Sequence, residues 1–574
     1  MIAALLFILQ HAAALAILLL VAAGAGTAVS GVRFPLAARA ALGLAVLGQL
    51  FVVLGVCGAL RPWPLLALAM LALVGGAARS TRIRPSGRMA GTAALVTLGT
   101  VPLFVLALHP PLAFDETLYH LPIVRALADS GAIRFLPYLR FPIFPELHEA
   151  LCVPGFLALG DVATHLVSVA ELLILAGLLA AWPRLRSRYT GPLAAVLLLG
   201  NPIVIQLATI TYVESALALF VAAGYFFLER AMPEPGEEPP GARSDAAAAG
   251  FLLGSACGVK YLGGYFAAAG LLLLVFHSLR TTRSGRPVLV FGAGLLAALL
   301  PTYTLLIWLG GNPVFPFLSG LFGASPWQVG TIGPGFSFFR VLRLPWDLTF
   351  AREHVNFQPP YSPLFMLSLG ATLVAAPRNR RAAFLSALAV GYFICFAFLP
   401  PDSRYLIPLL PLACVAGASA VARWKRLSVA LAGVSMAVFA AYAGWRIARL
   451  GPPPTHPAAR QRVLEREIPE LRALSRREPG PVTVCGAEQL QYFGGGEGLL
   501  LGDVVGPYAS ERIVGGARDS ADLARRLLAL GTPQLLVSRR GCRPEWQRLP
   551  EPPAFVLIYA DAGAVLWRVA SPAP

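Results

Sequence analysis

The stretch His109-Pro110-Pro111-Leu112-Ala113-Phe114-Asp115-Glu116-Thr117-Leu118-Tyr119-His120-Leu121-Pro122 organises the chain. It follows an apolar segment, roughly Ala90 to Ala107, long enough to cross a bilayer, which takes about 17–25 residues. Two adjacent carboxylates, Asp115 and Glu116, then stand at a membrane edge, with His120 four residues beyond Glu116. Ionisable groups in such a place are costly and usually functional. The competing reading is a solvated loop whose acids merely face water, and the rest of the chain decides between the two.

Composition fixes the class. The 574 residues are 57% hydrophobic and 13% charged, with a mean hydropathy of +0.69, whereas a soluble globular protein carries about 25% charged residues. The apolar runs have helical length, too long for barrel strands of about 9–11 residues. The first, Ile2 to Ala23, lacks a basic leader and reads as a membrane helix, not a cleaved signal. The net charge of +17 is no nucleic-acid footprint: lysine occurs only at Lys260 and Lys425, and much of the arginine sits in short loops where it sets orientation. Seven cysteines are scattered without metal-ligand spacing.

Fourteen apolar passes emerge, oriented by their arginine loops. Passes one to three lie near 2–23, 40–59 and 63–76, and the loop with Arg79, Arg82, Arg84 and Arg88 reads as cytoplasmic. Pass four, 90–107, then delivers Asp115 and Glu116 outside. A short helix opens near Pro122, ends at Gly131 and is expected along the outer membrane surface. Pass five spans 162–181, pass six 191–205, and pass seven runs from Glu214 to Phe227. Segment 246–279 is too long for one pass, and parity asks for two short ones turning outside at Lys260-Tyr261. Pass ten, 288–309, precedes a long outer loop, 310–361, whose Trp327, Trp346 and phenylalanines suit a membrane interface. Passes eleven to fourteen end at 445, and every arginine cluster from pass four onward falls on one side. Beyond the Pro452-Pro453-Pro454 linker, the pattern predicts a charged helix at 458–477, a strand at 481–485, a helix near 519–530, a strand at 534–537 and a hairpin pairing 555–559 with 564–569. The domains are thus 1–89, accessory helices; 90–450, the membrane domain with outer loops 109–161 and 310–361; and 451–574, an extracytoplasmic α/β domain. Cys485 and Cys542 are its only cysteines, each after a predicted strand, and the sequence leaves their pairing open.

The outer side collects Asp115, Glu116, His120, Glu146, His148, Glu149, Glu214, Lys260, Asp402 and Arg404. Carboxylates can accept a proton from an acceptor hydroxyl, and cations or a metal can stabilise a departing phosphate. Nucleotide sugars are scarce outside the cytoplasm, so a lipid-linked donor is the expectation. Glu116, by like-charge repulsion, is expected to raise the pKa of Asp115, with Glu214 across the site.

An outer loop bearing an Asp-Glu pair after a membrane helix resembles the GT-C superfamily of polyprenol-phosphate-sugar glycosyltransferases, which includes protein O-mannosyltransferases and the aminoarabinose transferase of lipid A. The run Phe114 to Pro122 resembles a bacterial subgroup with an Asp-x-x-x-Tyr-His-x-Pro pattern, as do Tyr212-Val213-Glu214, Pro345-Trp346-Asp347-Leu348-Thr349-Phe350 and Arg404-Tyr405-Leu406-Ile407-Pro408. The terminal domain also looks like the tail of such proteins. The resemblance implies an α-helical polytopic membrane protein of GT-C type, with about 11–14 transmembrane helices. It implies inverting transfer of a sugar from a polyprenyl-phosphate carrier to a hydroxyl of a lipid, glycan or protein, at the outer face of a bacterial cytoplasmic membrane. Asp115 and Glu116 match the catalytic acids. Arg404 and Lys260 match cations toward the lipid phosphate, and Tyr405, Tyr119, His120 and Glu149 complete the substrate contacts. Glu214 stands where the subgroup usually has Asp, and with Asp115 it is the candidate pair for a divalent metal ion. The rival classes are a flippase for lipid-linked glycans and a non-catalytic scaffold; no internal inverted repeat of the transporter kind is visible.

Overall fold

A computed structural model of the chain describes residues 2–80, 99–182, 189–232, 241–282, 284–328, 337–356, 358–375, 380–503 and 505–570. The apolar runs expected to cross the membrane are helical over most of their described residues. The elements are α1 (Ile2–Ser30), α2 (Leu36–Val56), α3 (Pro62–Arg79), α4 (99–107), α5 (Leu121–Ser130), α6 (Leu147–Leu159), α7 (Val162–Ala180), α8 (Thr190–Leu199), α9 (Pro202–Leu207), α10 (Glu214–Ala231), α11 (Ala242–Val259), α12 (Gly263–His277) and α13 (Arg286–Gly310). They continue as α14 (Ser319–Phe322), α15 (Phe338–Phe350), α16 (Pro363–Ala375), α17 (Arg380–Phe396), α18 (Leu410–Val421) and α19 (Lys425–Leu450). Eight described helices are long and apolar enough to cross a membrane; α8, α16 and α17 are shorter, and α10 carries Glu214, Glu229 and Arg230. Residues 81–98, with part of pass four and three arginines of its loop, lie outside the described residues.

The sequence-based division is adjusted at pass six and at the short helix after Pro122. Pass six is two helices: Pro202 cannot continue the hydrogen-bond ladder of α8, and Asn201 fills the break, donating to the Leu197 carbonyl (2.7 Å) and accepting from the Ser362 N–H (2.9 Å). The segment 246–279 is two helices turning at Lys260, as parity demands. Helix α5 does not lie open on a surface: seven of its ten residues are buried, against α6 and the terminal domain. Small residues let helices approach closely. A methyl on Gly250 of α11 would sit 2.0 Å from the Phe291 carbonyl of α13, and one on Gly294 would sit 2.3 Å from that of Ala247. The first three helices are tied to this bundle by Arg33, whose guanidinium meets Asp245 of α11 at 2.9 Å.

The terminal region holds two core clusters of its own. Its helices are α20 (Pro457–Glu467), α21 (Glu470–Leu474), α22 (Ser510–Ile513), α23 (Ser520–Ala529) and α24 (Pro544–Gln547); α20 and α21 replace the single expected charged helix, interrupted at Pro469. Its strands are β1 (Val482–Cys485), β2 (Leu500–Leu501), β3 (Gln534–Ser538), β4 (Phe555–Ala560) and β5 (Ala564–Val569), in the order β2-β1-β3-β5-β4. The parallel strands β1 and β3 are buried on both faces, as parallel strands are. The β4–β5 hairpin turns on Asp561, whose Oδ1 accepts from the N–H groups of Gly563 (2.7 Å) and Ala564 (2.9 Å). Cys485 and Cys542 are joined as a disulfide with Cα atoms 5.2 Å apart. The long loop 310–361 contains α15, which exposes Phe338, Phe339, Leu342 and Trp346 on one face, while Trp327 instead packs on Phe135 and beside Gly506.

Candidate active site

The quoted stretch enters the site through a π-helical turn, Glu116–His120, that runs directly into α5. Such turns recur at functional sites because they re-aim side chains within a helix. Here the turn sends the two adjacent acids to different neighbours.

Asp115 faces a cluster assembled from distant segments. Its Oδ2 lies 2.9 Å from Arg404 Nη1, and its backbone N–H donates to the Tyr212 hydroxyl (3.1 Å). Arg404 also meets Asp402 Oδ2 through Nη2 (2.6 Å) and Nε (2.8 Å), and its guanidinium lies over the Tyr212 ring, 4.9 Å from the centroid. Asp402 caps the turn Ser403–Leu409 by accepting from the Arg404 N–H (3.1 Å), so one carboxylate fixes both the local backbone and the guanidinium. Beside this triad, Glu214 at the start of α10 receives Lys260 Nζ at 2.8 Å, and the ammonium sits 4.6 Å from the Tyr405 ring centroid. Glu214 and Arg404 lie within each other's electrostatic reach. The Asp115 side chain keeps 15% of its surface exposed and that of Lys260 25%, so the cluster is open to a ligand on this side. Burial would raise the Asp115 carboxyl, but the charges of Arg404 and His120 win and hold it below its usual range.

Glu116 departs from expectation. It is fully buried and turned to His165 Nε2 (2.7 Å). It also accepts from the N–H groups of Thr211 (2.6 Å), Leu112 and Ala113 (both 3.2 Å). Its carboxyl, which burial alone would raise, is held low by His165 and these donors. It therefore pins the loop, and the Asp115 carboxyl moves down, under the charge of Arg404, where like-charge repulsion was expected to move it up.

Next to Asp115, Tyr119 packs among Phe141 and Phe144 (centroids 5.1 and 5.9 Å). His120 lies against the Tyr212 ring (5.7 Å) and donates through Nδ1 to Glu149 Oε1 at 2.6 Å. The Glu146 carboxyl is pushed well up by burial and by the charge of Glu149. His148, the third group of that run, is paired with Glu171 (3.0 Å) away from the cluster. Sequence reasoning missed Arg140. Its Nε is buried without a hydrogen-bond partner, and its charge acts on both Asp115 and Glu488. The signal was its place in the sequence, six residues before Glu146.

The expected Asp115–Glu214 metal pair does not fit this geometry. One oxygen of each carboxylate is engaged by a cationic side chain, and among the described residues no group of three or more His, Cys, Asp or Glu could hold a metal ion.

Residues 164–292, from α7 into α13 and including Glu214 and Lys260, match the family model described as dolichyl-phosphate-mannose-protein mannosyltransferase. An uncharacterized Shigella flexneri protein is 36% identical over 141 residues, 23% of this chain and 70% of that protein. Among solved structures, ArnT from Cupriavidus metallidurans bound to undecaprenyl phosphate superposes with a TM-score of 0.54 at 16% identity, covering 84% of this chain and 98% of that one. Its apo state gives 0.53 at 16% identity, covering 83% and 98%. The chain therefore belongs to the family of that Shigella flexneri protein and, by family model and fold together, to the GT-C superfamily of membrane glycosyltransferases.

Proposed function

We propose that this multi-pass membrane enzyme moves a sugar from a polyprenyl-phosphate carrier to an acceptor hydroxyl, at the outer face of a bacterial cytoplasmic membrane, by single displacement with inversion. The observation that carries the reading is Arg404 bridging Asp115 and Asp402, beside the Lys260–Glu214 pair, at the mouth of an apolar bundle. A lipid phosphate is the ligand whose charge suits guanidinium and ammonium groups at that depth. The Cupriavidus metallidurans protein of like fold is seen with undecaprenyl phosphate.

In this reading the phosphate oxygens are met by Arg404, Lys260 and Arg140, whose Nε lacks a hydrogen-bond partner among the described residues. Tyr405 and Tyr119 wall the sugar. As the bond from the anomeric carbon to the phosphate oxygen breaks, its electron pair goes to the phosphate, and the cations stabilise that charge. Asp115 holds Arg404 in place and accepts a hydrogen bond from the incoming hydroxyl, aligning it for in-line attack. Glu116 acts by fixing the loop on which Asp115 sits. The domain 451–574 stands outside and roofs the cluster.

Purified protein incubated with a panel of polyprenyl-phosphate hexoses and pentoses should release polyprenyl phosphate. Asp115→Asn, which keeps shape and removes charge, should slow that release by about 10²-fold or more while the protein still inserts. Near-normal release by the variant would sink the assignment of Asp115. A protein that translocates the lipid-linked sugar without cleaving it would be the flippase of the rival class.

A further inference from the structure

The Arg404 guanidinium is oriented by Asp402, and Asp402 is in turn held from a distant part of the chain. Its Oδ1 accepts the Arg404 N–H (3.1 Å). Its Oδ2 lies 2.6 Å from Arg404 Nη2 and accepts from Nε (2.8 Å). A guanidinium and a carboxylate left to themselves form two parallel bonds, one to each oxygen. Here a single oxygen faces both nitrogens, and the same oxygen takes a further donor: Asn356 Nδ2 reaches it at 3.0 Å from 46 residues away. Rotation of the carboxylate toward the two-oxygen pairing would break the backbone bond to Oδ1 and the amide bond to Oδ2. The orientation so fixed is the one that leaves Arg404 Nη1 2.9 Å from Asp115.

Asn356 stands in left-handed backbone, with φ 57°, a conformation that glycine adopts freely and most side chains avoid. Asparagine tolerates it and brings an amide to the position. The backbone here is seated from both sides. Val355 is buried in the core, and its N–H donates to the Arg352 carbonyl (3.0 Å). Tyr361, fully buried, donates its N–H to the Leu348 carbonyl of α15 (3.0 Å) and its hydroxyl to the Ser403 carbonyl (2.9 Å). The segment after α15 thus grips two adjacent residues of the turn that carries Arg404, Asp402 through Asn356 and Ser403 through Tyr361. The tyrosine contributes core packing. The asparagine is itself exposed and contributes a directed hydrogen bond instead.

Resting on the function proposed above, we propose that Asn356 is a positioning residue for carrier recognition, fixing the Asp402 carboxylate so that Arg404 stays turned toward Asp115 and the lipid phosphate. It touches neither phosphate nor sugar and acts through Asp402. A neutral donor suits the task, because it holds the carboxylate oxygen without placing a second cation on Asp402 in competition with Arg404. Without the amide, the carboxylate is free to swing to the two-oxygen pairing, and the guanidinium turns with it, away from Asp115. The long loop 310–361 is then part of the site, although α15 itself stands apart from the cluster.

The test uses full-length protein in detergent, with polyprenyl phosphate as the binding probe and thermal unfolding measured beside it. Asn356→Gly keeps the left-handed backbone and removes the amide. It should bind the probe about tenfold more weakly while unfolding near the wild-type temperature. In an Asp402→Asn background the same substitution should change binding by less than about twofold, because the amide acts through that carboxylate. If Asn356→Gly fails to fold, Asn356→Asp, which keeps the shape and exchanges the donor for an acceptor, serves in its place. Binding by the single variant within about twofold of wild type would overturn the proposal. Equal losses in the two backgrounds, or a loss of binding that merely tracks a fall in unfolding temperature, would overturn it as well. Wild type that does not bind polyprenyl phosphate would instead bring down the lipid-donor reading on which the proposal rests.

Discussion

Asp115 and Glu116 are neighbours in sequence and strangers in space. Successive residues on a helix point about 100° apart, and the π-helical turn that begins at Glu116 sends one acid to Arg404 and the other to His165. That two acids stand side by side after a membrane helix was legible in the sequence; which neighbours each one meets was not, because His165 lies 49 residues away and approaches only through packing of α7. The same distinction yields a prediction. Glu116→Ala would leave His165 and three backbone N–H groups buried without their acceptor. Breaking a buried pair from one side typically costs about 3–5 kcal/mol. Thermal unfolding in detergent should show the loss, and a variant as stable as wild type would return Glu116 to the candidates for chemistry. The pH sense follows from the lowered carboxyl. The stabilisation is complete above the unfolded-state value and disappears as acid titrates Glu116 through its lower folded value.

The elements around the site were legible to different degrees. The turn at Lys260 followed from arginine parity, and the β4–β5 hairpin from Asp561-Ala562-Gly563, because both are local signals. The place of α5 was not, since its apolar spacing suits a membrane surface as well as a protein one. What covers it is the turn Glu488–Gly494 of the terminal domain. Arg125 of α5 donates to the Tyr492 carbonyl (2.6 Å) and stacks 4.1 Å over its ring, while the Tyr492 hydroxyl donates to Asp161 Oδ2 (2.9 Å), which Arg460 also holds. Asp161 thus joins both domains at the entrance to α7. Asp161→Ala removes the acceptor of a buried phenol and a half-buried guanidinium, an expected loss of about 1–3 kcal/mol. Limited proteolysis should then cut the 451–457 linker faster, whereas an unchanged digestion rate would mean that the latch contributes nothing to docking.

Across the whole molecule, the arginine loops set one orientation, and the terminal domain is expected outside. Ser520→Cys should react with an impermeant thiol reagent in intact cells; labelling only after lysis would invert the scheme. The Cys485–Cys542 bridge accords with that compartment, where disulfides persist. The sequence could not pair these cysteines because β1 and the loop after β3 meet only once the parallel pairing of the two strands has formed. The bridge also bears on how any inhibition experiment is read. It closes the strand from which the chain proceeds, three residues later, into the very turn that covers α5 and packs on the π-helical turn. Both sulfurs are shielded, so a reductant must wait for the domain to breathe. Activity that fades slowly in dithiothreitol would suggest a reactive thiol in the chemistry, yet among the described residues none of the groups that meet Asp115 contains sulfur. The fading would record the terminal domain relaxing its grip, and preparations made in reducing buffers would look inactive while every residue of the site is intact.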